Sequence, residues 1–98
     1  MSGRLMGDRD AFPHLDGFKS SHAVLKALAE VAGVRLTDAA EANRYGDSAD
    51  DHEREALAKL ERLWSFPRPG EVEAVERCAR RLAEPGERLF WGDHEIEA

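Results

Sequence analysis

The chain has 98 residues, room for one small domain with a real but modest core. Its formal charge of −6 is unevenly placed, with six Lys+Arg against seven Asp+Glu in residues 1–49 and eight against thirteen in residues 50–98. That balance repels bulk nucleic acid and anionic membrane surfaces unless a local basic face overrides it, and no run approaches the roughly 20 apolar residues of a membrane span.

Residues 1–19 are rich in Gly, Asp and Pro without helical periodicity, and read as an arm whose Phe12, Leu15 and Phe18 can pack onto a body formed by residues 20–98. The Asp8-Arg9-Asp10 and Asp16-Gly17 pieces fail as a calcium loop. Phe12 stands where an oxygen ligand belongs, and no glutamate closes the loop. The first helix is expected to start at Ser20 or Ser21 as N-cap, with Val24, Leu25, Leu28 and Val31/Ala32 on one apolar face and Gly33 as its stop. A short Ala-rich helix follows from Thr37 to about Arg44.

The longest helix, about 49–65, opens on a capping-box pattern, Ser48 with Asp51. It buries Ala56, Leu57, Leu60, Leu63 and Trp64, and pairs Asp50 with Arg54 and Glu55 with Lys59 on its surface. Pro67 and Pro69 end it, because proline disfavours helical backbone in the residue before it. The last helix, Glu71 to Ala83, buries Val72, Val75, Ala79 and Leu82. Its glutamates lead and its arginines trail, which suits the helix dipole. Arg88 to Glu97 reads as a β-hairpin closed by Gly92-Asp93, opposing Trp91 to His94, Phe90 to Glu95, Leu89 to Ile96 and Arg88 to Glu97. The expected fold is therefore mainly α, a small bundle of three to four helices with a C-terminal β-hairpin.

Reactive constellations are sparse. His52 lies among Asp50, Asp51, Glu53 and Glu55, but no second ligand pair completes a metal site, and an acidic first turn accounts for these residues. Cys78 is the only cysteine, so an intramolecular disulfide is excluded. Beside an apolar stripe it reads as a buried, inert thiol. Ser20-Ser21-His22 reads as a helix cap rather than a nucleophile with its base. Arg77, Arg80 and Arg81 form the one concentrated basic cluster, a weak anion-binding candidate set against pairing with the preceding glutamates. No cofactor or metal is expected. The lone cysteine and the absence of a signal-peptide core near Met1 point to a cytoplasmic protein.

Leu25 to Arg44, with small Ala29, the turn at Gly33, Val34 beneath it and Leu36, Ala39 and Ala42 as buried positions, resembles a helix-turn-helix of the repressor type. That resemblance implies DNA contacts from Arg35, Thr37, Asn43 and Arg44, with Asp38 and Glu41 set against phosphates. The leading expectation is instead a non-catalytic protein-interaction module, or a small subunit of an assembly, whose partner is another protein or a second copy. Its expected anchors are Trp64, Phe66, Phe90 and Trp91. DNA binding is the alternative, disfavoured by net charge. A small ligand-binding protein or enzyme with its site at a dimer interface, using His52 or Cys78, is the third.

Overall fold

The structure, a computed structural model, describes residues 18–97. Among the described residues, four α-helices precede a two-stranded antiparallel hairpin: α1 His22–Ala32, α2 Leu36–Tyr45, α3 Asp51–Ser65, α4 Pro69–Leu82, β1 Leu89–Trp91 and β2 His94–Ile96. One 3-10 turn, Gly46–Ser48, joins α2 to α3. The expected helical bundle with a C-terminal hairpin is the observed architecture. Phe12, Leu15 and most of the expected N-terminal arm lie outside the described residues.

Helix α1 is the centre. Ala23, Val24, Leu25, Ala27, Leu28 and Ala29 are all buried, so apolar side chains ring most of its circumference rather than forming the single face that periodicity suggests. A helix apolar on most sides must be covered on most sides. Accordingly α4 packs along it, and α3 and β1 close on it. Helix α2 lies mainly against α3. The fully buried large side chains are Val24 and Leu28 of α1, Leu60 and Leu63 of α3, Val75 of α4 and Leu89 of β1, so every element but α2 and β2 sends one to the centre. The buried residues of α2 are alanines, Ala39, Ala40 and Ala42, with Leu36 partly buried against the core, which lets the helix approach closely while burying little.

The helix ends show where local sequence signals win and where they lose. Gly33 takes the left-handed conformation (φ 75, ψ 30) and its N–H bonds back into α1, as the glycine stop requires. Asp50, not Ser48, is the N-cap of α3. Its carboxylate accepts from the Glu53 N–H at 2.8 Å and the Glu53 carboxylate accepts from the Asp50 N–H at 3.2 Å. Asp50 is thus spent on the cap, and Arg54 pairs with Asp51 instead. Arg35, not Thr37, sits at the N-cap of α2, with Thr37 already inside the first turn. Helix α4 starts at Pro69, two residues earlier than expected. Proline at the first helical position has no N–H to leave unsatisfied and its φ is already helical.

Ser21 is the N-cap residue of α1, but its hydroxyl does not cap the helix. It accepts from the Phe90 N–H of β1 at 3.2 Å, while the Ser21 N–H donates to the Phe90 carbonyl at 3.0 Å. The first-turn N–H of Ala23 is taken instead by the Glu87 carboxylate at 3.3 Å, from 64 residues away. The chain before α1 thus pairs with β1 as a stub of a third strand. Ser20 bridges Trp91, and the Gly92 N–H donates to the Lys19 carbonyl at 2.6 Å. This pairing protects one edge of a hairpin that is only marginally stable alone.

The hairpin register is the expected one, Leu89 opposite Ile96, Phe90 opposite Glu95 and Trp91 opposite His94. Gly92 supplies the positive φ of 61 that a two-residue loop needs. Leu89, Trp91 and Ile96 turn inward. Arg88 pairs diagonally with Glu95, at 3.2 Å, rather than with Glu97.

Candidate functional site: an aromatic groove between helix α3 and the hairpin

The end of α3, the Phe66–Arg68 corner, the first turn of α4 and the hairpin tip enclose an open groove of about 360 Å³, lined by Trp64, Pro67, Val72, Trp91, Gly92 and His94. Its walls are set by long-range ties. The Trp64 indole N–H donates to the Ser20 hydroxyl at 2.7 Å, and the Trp91 indole N–H donates to the Trp64 carbonyl at 3.2 Å. Phe18 meets the Trp64 ring edge-on at 5.6 Å. Both indole donors are therefore consumed inside the protein. What they present to the groove is hydrocarbon and π-face.

The corner that carries the lower wall is fixed by a charged clamp. Arg62 donates twice to Glu71, at 2.9 and 2.7 Å, and the Arg68 N–H donates to the same carboxylate at 2.9 Å. Chiefly because of the Arg62 guanidinium, and then the Arg68 N–H, the Glu71 pKa falls from 4.5 to about 2. On the opposite wall the His94 ring nitrogen lies 3.1 Å from the Glu76 carboxylate of α4, which holds the hairpin tip against that helix. A Cβ placed on Gly92 would stand 3.9 Å from the Trp64 ring, an ordinary contact, so the cost of a side chain there is the strain of the positive φ in the turn.

Of the four expected anchors, Trp64 and Trp91 meet in the groove. Trp64 is half-buried, Trp91 is 8% exposed, and both line the groove. Phe66, between the lining residues Trp64 and Pro67, is 77% exposed, the most exposed large apolar side chain among the described residues. Phe90 is separated from them. Neighbouring strand residues face opposite sides, and Phe90 lies with Lys19, Arg88 and Glu95 on the other face of the hairpin. Sequence reasoning missed Pro67, Val72 and His94 as lining residues and Ser20 as the tether of Trp64. Only the proximity of Trp64 to Pro67 in sequence hinted at a shared corner.

The remaining candidates are dispersed. Arg80 donates to the Glu97 carbonyl at 2.7 Å and lies 3.8 Å from Glu76, while Arg81 pairs with Glu30 at 2.7 Å. Arg77 is exposed. Two of the three guanidinium groups thus face separate partners rather than one concave anion site. On α2, Thr37, Glu41 and Arg44 recur at helical spacing, so a carboxylate sits between the two would-be DNA contacts. Arg44 lies over the Tyr45 ring, 5.9 Å from its centre. Asn43 is half-buried on another face, and Arg35 borders a small cleft of about 150 Å³ with Asp38 and His52.

His52 bonds Asp38 across the α2–α3 contact at 3.0 Å rather than joining its own helix's acids. Among the described residues no three His, Cys, Asp or Glu side chains converge as a metal site. Cys78 is 7% exposed. Burial, then the Glu30 carboxylate accepting from its S–H at 3.3 Å, push its pKa up, the opposite of an activated thiolate. No helix among the described residues is long and apolar enough to cross a membrane. No protein-family model, curated protein or solved structure matches this chain. The groove is accordingly a place that removes apolar surface from water. Of its lining side chains only His94 carries an ionisable group, and Glu76 already engages it.

Proposed function

We propose that the chain is a non-catalytic protein-interaction module, working in the cytoplasm, that buries an apolar side chain of a protein partner in the groove between α3 and the hairpin. One observation carries this reading: an open apolar groove whose two tryptophans have already spent their N–H groups on Ser20 and on the Trp64 carbonyl. Such walls reward hydrocarbon, and neither indole N–H is left to select a hydrogen-bond acceptor on a ligand. Aromatic side chains fixed in place by their own hydrogen bonds lose little entropy when a partner arrives, which suits them as interface anchors. Exposed Phe66 beside the groove enlarges the apolar surface that a partner would cover.

The free edge of β2 is a weaker docking site. It carries Glu95 and Glu97, and Arg80 already holds the Glu97 carbonyl. Charged side chains along an edge discourage the addition of a strand.

The test is site-specific photocrosslinking in living cells, with a photoreactive phenylalanine at position 66 and, separately, at positions 26 and 37, which are exposed on α1 and α2. A discrete product from position 66 and none from the other two is the expected result. Equal labelling from all three positions, or none from position 66, refutes the groove as the functional surface.

A further inference from the structure

Resting on the interaction-module reading, we propose that the occupant of the groove is a second copy of this chain, each copy laying its Phe66 into the other's groove about a twofold axis. The knob and the hole lie on one surface. Phe66 projects from the α3–α4 corner with 77% of its surface exposed, and its neighbours Trp64 and Pro67 form a wall of the groove. A twofold contact requires one patch to carry both complementary halves, and this patch does. A hydrophobic knob placed away from its pocket would instead build an open chain of copies.

The charges at the two ends of the groove complement each other under the same operation. Arg68 adjoins Pro67 on the α3–α4 side and is exposed, its charge near enough to Glu71 to act on that carboxylate. Asp93 adjoins Gly92 on the hairpin side with its side chain 99% exposed, paired among the described residues with Lys19 at 3.4 Å. A twofold axis that crosses the groove perpendicular to the line joining its two sides turns the α3–α4 side of one copy toward the hairpin side of the other. Arg68 then faces the partner copy's acidic tip, and the contact occurs twice. The groove lining between these ends carries no formal charge other than what His94 can take up, so the overall charge of −6 is kept out of the contact centre. A groove of about 360 Å³ is also at the low end for small-molecule sites, and matches one aromatic side chain with its flanking backbone.

The proposal is tested by sedimentation equilibrium of the full chain from about 10 µM to about 1 mM, at moderate salt, a window that resolves micromolar association. The expected result is a concentration-dependent monomer–dimer equilibrium. Phe66→Glu should raise the dimer Kd at least about 30-fold, as loss of a central aromatic anchor does. Arg68→Glu and Asp93→Arg should each raise it about three- to tenfold, each placing like charges opposite one another twice, and the double substitution should return it toward the wild-type value. Far-UV circular dichroism confirms that each variant is folded. If Phe66→Glu is not folded, Phe66→Ser carries the same test.

A chain that stays monomeric throughout overturns the proposal, as does a dimer indifferent to Phe66. Failure of the parent reading looks different. A monomer that still crosslinks from position 66 to another protein overturns self-association alone, whereas absence of crosslinks from position 66 overturns both.

Discussion

The clamp between Arg62 and Glu71 gives the structure a sharp titration signature. Glu71 receives two N–H bonds from one guanidinium, at 2.9 and 2.7 Å, and one from the Arg68 backbone at 2.9 Å. All three favour the charged carboxylate, and the pKa falls from 4.5 to about 2. At pH 3.3 such a group is about 95% ionised, against about 6% for an ordinary glutamate. The sign of the linked stability follows. A carboxyl whose folded pKa lies below its unfolded value stabilises the fold fully above about 4.5, and that contribution fades as pH falls from there toward 2. The assay is a carbon-detected NMR titration of the Glu71 carboxyl in wild type and in Arg62→Gln. The wild-type midpoint should lie near 2, and Arg62→Gln should move it up by more than a unit, since the guanidinium is the largest cause. The Phe66 and Pro67 resonances should shift over the same pH range, because the clamp spans the corner that holds them. A wild-type midpoint above about 4, or one unmoved by Arg62→Gln, refutes the clamp and with it the claim that the groove wall is preorganised by charge.

Three further outcomes test how the fold positions the groove. Asp50→Ala removes the cap of α3 and should lower stability to urea by about 1 kcal/mol, whereas Ser48→Ala should change it by less than about 0.5 kcal/mol. Glu87→Ala should speed hydrogen exchange at the Ala23 amide and lower stability by about 1 kcal/mol, the ordinary worth of one hydrogen bond; an unchanged Ala23 rate would show that Glu87 does not cap α1. Cys78 should react with a thiol reagent at pH 8 at least about tenfold more slowly than a free thiol, and reach the free rate in urea, because burial and Glu30 both oppose its thiolate.

Much of the fold could be read from local signals that nothing distant overrides. Helical periodicity marked the core-facing stripes of α3 and α4, with Ala56, Leu60, Leu63, Val75 and Ala79 buried and Leu57, Trp64, Val72 and Leu82 partly buried, because each of those helices has a single core face; the Gly92-Asp93 loop fixed the hairpin register because a two-residue loop leaves no freedom in pairing. The errors fall where more than one partner or cap fits locally, and for Ser21 the distant partner won. Ser21 has a side chain suited to capping α1, yet burial beside Phe90 makes the strand contact the more valuable use of its hydroxyl, and Glu87 supplies the missing acceptor. Ser48 and Asp50 both fit a cap. The carboxylate three residues before Glu53 wins because both halves of the box then close.

The groove was illegible for a related reason. Its defining feature is less the presence of Trp64 and Trp91 than the fate of their N–H groups, and that depends on Ser20 lying 44 residues from Trp64 in sequence. A tryptophan with a free N–H and one with a satisfied N–H look identical in sequence but recognise different partners: the first can select a hydrogen-bond acceptor, the second only shape and hydrocarbon. Ser20→Ala would turn the second kind into the first. It leaves the Trp64 N–H without its 2.7 Å acceptor at a half-buried site, which should lower stability by about 1 kcal/mol and shift the Trp64 indole proton resonance markedly upfield. If the ring then rotates to find water, the wall of the groove is lost, and any association through Phe66 should weaken although no contact residue has been touched. A Ser20→Ala protein whose Trp64 indole resonance and association are both unchanged would show that the tether does not hold the groove open. Ser20→Thr, which keeps a hydroxyl acceptor, should retain both.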